Sequence, residues 1–402
     1  MSEILVVHRI PYQVTPLDEW IAEVADRVTL VTAEETASQY DGLFPRVIGV
    51  PRYAESPQVE QELNRICAQR PISTLVHVTE DDVLRAARVR DRFDLPGPRA
   101  ADVLPWRDKY WMKQRVSAAG VATAEFTVPA DAADAQAFAE RIGYPVVVKP
   151  RLGYASHGVT VVRDASRLTE LAQVWDADDV LLESFVPGEV YHVDGFCQDG
   201  KVLHVSVSRY LNGCLAFHDG QPLGSVQLDR DDETWPAFAE LAERVVKAMP
   251  ELDFCPYHLE VFRRPDGEVV FCEIACRLGG AHIMESFTHA TGVNPARLWI
   301  RHQVGLEDGP AAPISTDGKR YGWLLVPPKA GRLVEIRQPE GVDFITDFVV
   351  KTAVPRHFDG AHGSTDSIIG YVVEGRDSME VETNLRKCID LTEHLAIWQL
   401  PR

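Results

Sequence analysis

Short apolar runs at residues 4–7, 28–31, 47–50 and 74–78 are separated by stretches such as 57–69, where apolar residues recur every three or four positions. The runs predict buried strands and the stretches amphipathic helices, and the alternation points to an α/β unit on a parallel sheet. Leu95-Pro96-Gly97-Pro98 breaks the pattern, and a helix is expected from about 106 to 119, stopped by Gly120. A strand, a helix and a further strand then lead to the apolar run Tyr144-Pro145-Val146-Val147-Val148-Lys149-Pro150. Strands around a Val186-Pro187-Gly188 break, a helix near 235–249 and a hairpin over 255–275 follow. The stretch 309–315, with Pro310 and Pro313, reads as a joint before strands at 322–326, 348–351 and 367–373 and a helix at 378–391. The expected organisation is an N-terminal α/β domain over 1–100, a core over 101–310 with a smaller subdomain at about 120–185, and a strand-rich C-terminal domain over 311–402.

Composition narrows the partners. A chain of 402 residues exceeds one ordinary hydrophobic core, which agrees with several domains. No apolar run is long enough for a membrane span. The start, MSEILVVHRI, reads as a first strand and not as a signal peptide, so a cytoplasmic location is expected. With 60 acidic against 41 basic residues the formal charge is -19, which argues against gripping a nucleic acid but not against one nucleotide. Seven cysteines without a C-x-x-C pair read as reduced, mostly buried thiols; zinc on Cys272 and Cys276 is a weak rival. His8-Arg9-Ile10-Pro11-Tyr12 after the first strand is no G-x-G-x-x-G, so a dinucleotide role has no support.

The 255–275 hairpin carries the most chemistry. Asp266-Gly267 suits a two-residue turn, and counting outward from it sets Glu260 opposite Glu273. Opposed side chains on one face have Cβ atoms about 5 Å apart. Two carboxylates so placed repel unless a proton or cation intervenes, and magnesium is a fitting cation. The competing reading is a pair of solvated strand residues, or one paired with Arg263 or Arg277; the argument depends on an even-length turn.

Lys149 closes an apolar strand and therefore needs a counter-charge, which a nucleotide phosphate could supply. The loop after it, Arg151 to Gly158, has Gly153 and Gly158 and can bring backbone N–H groups close to phosphates, although an ordinary hairpin loop fits it equally well. Lys109, taken alone, reads as a surface lysine near a helix start.

In order along the chain, these motifs resemble the ATP-grasp superfamily, in its carboxylate–amine ligase branch that includes the L-amino-acid ligases. The set comprises Thr79-Glu80, Gly97, Asp108-Lys109, Gly120-Val121, the run 144–158, Glu183-Ser184-Phe185-Val186-Pro187-Gly188-Glu189, Glu260, and Glu273-Ile274-Ala275-Cys276-Arg277-Leu278-Gly279-Gly280. The last ninety or so residues look like the C-terminal domain shared with biotin carboxylase. The resemblance implies an α/β (α+β) ATP-grasp architecture with ATP and Mg2+ as cofactors. By motif it assigns Lys109 and Lys149 to the α- and β-phosphates and the loop with Gly153, Ser156, His157 and Gly158 to a lid. It assigns Glu183 through Phe185 and Val186 to the adenine hinge, Glu189 to ribose, and Glu260 and Glu273 to magnesium. Arg277 goes to the transferred phosphoryl group or substrate carboxylate, with Gly279 and Gly280 beside it. His282 and Glu285 are candidates for substrate contacts, or simply residues of a helix start. The family usually places an Asn where this chain has Ala275, which puts the number of metal ions in doubt. The implied reaction makes an acyl phosphate from a small carboxylate and passes it to an amine. A carrier-protein thiol as acceptor and a silent ATP-binding sensor are the alternatives; a homodimer is an expected assembly.

Overall fold

The computed structural model describes residues 2–399 apart from 176–178, 308, 311–313, 315 and 317, and gives no side chain for His218. The expected joint at 309–315 therefore falls in good part outside the described residues.

Strands β1 (Glu3–Val7), β2 (Val28–Ala33), β3 (Arg46–Val50) and β4 (Ile72–His77) form a parallel sheet in the order β3-β2-β1-β4. Both faces are covered, so the strands read as continuous apolar runs. Leu5, Val7 and Val31 pack on the helices Gln58–Gln69 and Asp82–Phe93. On the other face Ile4, Val6 and Leu30 pack with Ala296 and Ile300 of the helix Pro295–Gln303. A helix from much later in the chain thus docks the N-terminal sheet on the rest of the molecule.

A second sheet of β5 (Phe126–Thr127), β6 (Val146–Pro150), β7 (Thr160–Val162) and β8 (Val180–Ser184) runs β5-β8-β6-β7, with every pair antiparallel. Val146, Val148 and Leu182 bury one face with Phe138 and Leu168 of the helices Ala132–Ile142 and Ala165–Ala172. Strand alternation sends Lys149 and Glu183 to the opposite face.

The third sheet takes β9 (Glu189–Gln198), β10 (Lys201–Tyr210), β11 (Leu223–Gln227), β12 (Cys255–Arg263) and β13 (Val269–Ala275) together with C-terminal strands. Of these, β14 (Arg320–Val326), β15 (Gly331–Ile336), β16 (Ile345–Val350), β17 (Arg356–Phe358), β18 (Ile369–Gly375) and β19 (Ala396–Gln399) divide between two sheets. The order is β13-β12-β9-β10-β11-β14-β18-β16, with β17-β15-β19 as a small separate sheet. The helix Trp235–Ala248 packs into the core under β9 and β12, and Ser378–Leu395 packs under β14 and β18. No helix among the described residues is long and apolar enough to cross a membrane.

The expected helix at 106–119 is shorter. It runs Lys109–Ala118, because Asp108 caps it by accepting from the Tyr110 and Trp111 N–H groups, and a 3-10 turn at Leu104–Trp106 precedes it. The sequence pattern assigned no element to the helix Asp82–Phe93 or to β11, β15, β17 and β19, while the helix start considered at His282 and Glu285 is the helix Ile283–Thr291.

Between the second and third sheets the chain crosses the hairpin closely. A Cβ on Gly188, whose φ is +143°, would lie 2.2 Å from the Arg263 carbonyl oxygen. Gly188→Ala should therefore lower the melting temperature by several degrees in thermal denaturation, since neither backbone can move without breaking strand pairing.

Candidate active site

Strands β12 and β13 set Glu260 directly opposite Glu273, but by a different route from the even count. The turn holds three residues: Arg264 N–H donates to the Glu268 carbonyl at 2.9 Å, and Gly267 sits between them with φ +90°. Pairing then proceeds Arg263↔Val269, Phe262↔Val270 and Val261↔Phe271, a register that would face Glu260 with Cys272. An irregularity next to Glu260 moves the register by one, and Glu273 takes the position. The two-residue turn is thus corrected, while the pair it predicted stands. Glu260 accepts from the Tyr210 hydroxyl at 2.8 Å. Glu273 lies 3.2 Å from the Lys109 ammonium. Burial alone would raise the Glu273 pKa, but Lys109, Lys149 and Arg277 hold it down to about 2.

Lys109 is not a surface residue. It is 6% exposed, and its Nζ also donates to the Gly153 carbonyl at 2.5 Å. Lys149, at the end of β6, lies 2.9 Å from Glu183 of β8. A third cation that the sequence reading missed, Lys113, meets the same carboxylate at 3.2 Å. Its signal was positional: one turn beyond Lys109 on a helix, it shares that residue's face. Burial favours loss of charge on both lysines, and Glu183 opposes it. The Lys149 pKa is raised by Glu183, Cys272 and Glu273 together, whereas that of Lys113 is lowered, chiefly by burial and further by Lys149 beside it. Burial would raise the Glu183 pKa, yet the two ammonium groups bring it below the ordinary carboxylate value. The Glu183 carboxylate is therefore engaged inside the protein, and what the 183–186 segment offers outward is backbone with Phe185, which is exposed. Glu189 is exposed near Arg209 at 3.6 Å.

Arg277, just past β13, is clamped by Glu80 from the N-terminal unit and donates to the Leu278 carbonyl at 2.7 Å. Arg107 grips the other oxygen of Glu80. Gly279 makes room for its surroundings: a Cβ there would lie 2.8 Å from Asp194 Oδ1. Gly280 has open space around it. His282 is buried at the start of the helix Ile283–Thr291, against Gly370 of β18 and 3.3 Å from the Glu285 carboxylate.

The 151–158 loop folds over Lys109 and is pinned from three sides. Arg107 donates to the Leu152 carbonyl at 2.9 Å, Ser364 donates to the Ala155 carbonyl at 3.0 Å, and the His157 ring lies against Gly363. Ala155 and Ser156 both take positive φ (51° and 59°), and a Cβ on Gly158 would meet Pro150 at 2.8 Å. Such a turn sets successive backbone groups around one concavity.

A cluster of His192, Asp194 and His258 adjoins the carboxylates. Asp194 Oδ2 is 2.5 Å from His192 Nδ1, and Oδ1 is 2.8 Å from His258 Nδ1. Burial opposes charge on His258, but Asp194 raises its pKa to about 9. Sequence reasoning passed over these residues, although His192-x-Asp194 and His258-x-Glu260 place both members of each pair on one strand face. Among the described residues Cys272 and Cys276 belong to no such cluster, and all seven cysteines are free.

The Lys113–Glu183–Lys149 group makes a stability prediction. Glu183→Gln leaves two buried ammonium groups without their counter-charge and should cost about 3–5 kcal/mol in urea denaturation. Because the Glu183 pKa is depressed by folding, the difference from wild type should be full above about pH 5 and shrink as pH falls through that depressed value.

A family model described as an ATP-grasp domain matches residues 142–285. The L-arginine-specific L-amino acid ligase of Bacillus subtilis is 28% identical over 278 residues, which cover 66% of this chain and 65% of that protein, so the match spans less than two thirds of the relative's length. The structure of an L-amino acid ligase from Bacillus licheniformis superposes with a TM-score of 0.77 at 17% identity, covering 99% of each chain. The biotin carboxylase domain of Hydrogenobacter thermophilus 2-oxoglutarate carboxylase, solved with MgADP, gives 0.73 at 16% identity over 99% of this chain and 91% of that one. The arrangement of the sheets is accordingly the fold shared with these ligases and carboxylases, and residues 142–285 match the ATP-grasp domain.

Proposed function

We propose that the protein is an ADP-forming carboxylate–amine ligase that joins a small carboxylate to an amine, with amino acids as the class of both substrates. The observation that carries this reading is the opposition of Glu260 and Glu273 beside Lys109, with Arg277 four residues beyond Glu273. The Bacillus relative named for L-amino acid ligation supports the substrate class.

Nucleotide binding falls to groups already buried and charged. Lys109 and Lys149 meet the α- and β-phosphates, the loop with Gly153, Ser156, His157 and Gly158 closes over the triphosphate, and backbone of the 183–186 segment with Phe185 and Val186 receives adenine. Glu189 meets the ribose. The donor set of Glu260 and Glu273 fits Mg2+, a hard ion that takes one or two carboxylates and completes its shell with phosphate and water. Bound there, it would neutralise charge on the phosphates. Arg277 receives the substrate carboxylate or the transferred phosphoryl group on its planar guanidinium, which Glu80 fixes in place. The 279–280 turn and His282 border the substrate.

The carboxylate oxygen attacks the γ-phosphorus, the bond to the β–γ bridging oxygen breaks, and ADP leaves with that electron pair. The amine then adds to the acyl-phosphate carbonyl, and inorganic phosphate departs. The protein's part is positioning, charge neutralisation and exclusion of water by the pinned loop. ATP binding without turnover is the second reading, and Ala275 favours it, since a methyl group offers a metal nothing.

Phosphate release from ATP should require a carboxylate and an amine together, with an amide found by mass spectrometry. Nucleotide binding without turnover on any pair would select the sensor, and a thioester product would select a carrier thiol. Glu273→Ala should lower turnover at least about a hundredfold while leaving the fold intact by circular dichroism. Arg277→Ala should reduce kcat/KM for the carboxylate by about tenfold or more with ATP affinity little changed, and a silent variant would move the substrate elsewhere.

A further inference from the structure

The carboxylate pair belongs to a larger grid. Across β9 and β12, His192 faces Glu260 and Asp194 faces His258; across β12 and β13, His258 faces Ala275 and Glu260 faces Glu273. Six side chains on three strands thus share one sheet face, with one residue between successive rows on each strand. The register irregularity lies just beyond Glu260 and leaves this block regular. Ala275 is the smallest member, and its methyl group carries no donor atom.

Hydrogen bonding fixes what that ring presents. Asp194 accepts from both imidazoles through their Nδ1 atoms, which leaves each Nε2 as the free position. On His192 that nitrogen meets the Ser225 hydroxyl at 2.6 Å. On His258 it faces Glu260 Oε1 at 3.7 Å, beyond hydrogen-bond length, and the ring is 6% exposed. At that distance a cation belongs between the two groups, and a divalent ion can take the place a proton would otherwise hold. An imidazole whose other nitrogen donates to a buried carboxylate is also the arrangement that orients a metal-ligating histidine and strengthens its donor atom.

We propose that His258 Nε2 is a third protein ligand to the divalent ion held by Glu260 and Glu273, with Asp194 as the residue that positions the ring. The proposal rests on the metal assignment made for those two glutamates. It makes the site a mixed nitrogen–oxygen one, which shifts preference from Mg2+ towards first-row ions such as Mn2+, because imidazole is a better ligand for those than for a hard alkaline-earth ion. It also gives the site a donor in the row where Ala275 supplies none.

The test uses Mn2+ as the probe with the full-length protein and a non-hydrolysable ATP analogue, read by electron spin-echo envelope modulation. Nitrogen modulation should appear and should change to the 15N pattern when the protein is made with 15N-histidine, which separates histidine from adenine nitrogen. His258→Gln should remove it, His192→Gln should keep it, and the Mn2+ over Mg2+ affinity ratio should fall about tenfold in His258→Gln and in Asp194→Asn. The labelled wild-type protein gives an answer even if a variant fails to fold. Tight Mn2+ binding without histidine coupling would overturn the proposal, leaving a proton between His258 and Glu260, and would leave the ligase reading standing. A histidine signal that survives in His258→Gln would overturn it as well. Failure of Mn2+ to bind the nucleotide complex at all would overturn the metal assignment of Glu260 and Glu273 along with it.

Discussion

The site depends on a one-residue irregularity in a hairpin. With a three-residue turn and an unbroken ladder, Glu260 would face Cys272, and Glu273 would point to the other side of the sheet. The shift beside Glu260 restores the opposition, and everything else on that face follows from it. The Lys109–Glu273 contact, the placement of Arg277 after β13 and the row of His258 with Ala275 all require β13 to keep this register. The turn and the irregularity act as a pair: either alone would put the second carboxylate on the wrong face.

Buried charge is the second organising constraint, and it ties the three sheets together. Glu80, leading into the helix Asp82–Phe93, is held between Arg107 and Arg277. Asp108 caps the helix Lys109–Ala118 and takes Arg151 of the loop at 2.6 Å. Glu183 gathers Lys113 from that helix and Lys149 from β6. Each group pairs charges from different parts of the chain, and each is more than nine-tenths buried on at least one side. These pairs fix relative positions more than they add stability, since desolvation consumes most of their attraction.

Much of this was legible in the sequence. Apolar runs located the parallel sheet because its strands are buried on both faces, and they also located the 144–150 strand and the hairpin. The ordered motifs indicated the fold more strongly than any period did. Less could be read where tertiary context decides. The surface reading of Lys109 failed because nothing local shows that a carboxylate from the hairpin and a carbonyl from the loop will enclose it. Lys113 went unnoticed for the same reason. The pairing of Glu260 with Glu273 came out right from a wrong turn length, because two errors of one residue cancelled. The His192–Asp194–His258 group was hidden for another reason: β9 and β12 are about sixty residues apart, and their register is set by the whole sheet.

A protein selected for stability alone would replace most of these charges with hydrocarbon. Swapping a buried ion pair for apolar residues of like volume is often neutral or favourable, whereas deleting one partner is costly. Keeping Lys109, Lys113 and Lys149 around two carboxylates is therefore informative about function. A polyanion that must enter such a site meets fixed positive groups already paid for in folding free energy, and the protein need not reorganise as charge moves. The same reasoning applies to Asp194, whose two imidazole partners hold it ionised in a buried position. A carboxylate that only filled space would be an expensive choice there, so its retention makes sense as a means of aiming the His258 ring at Glu260.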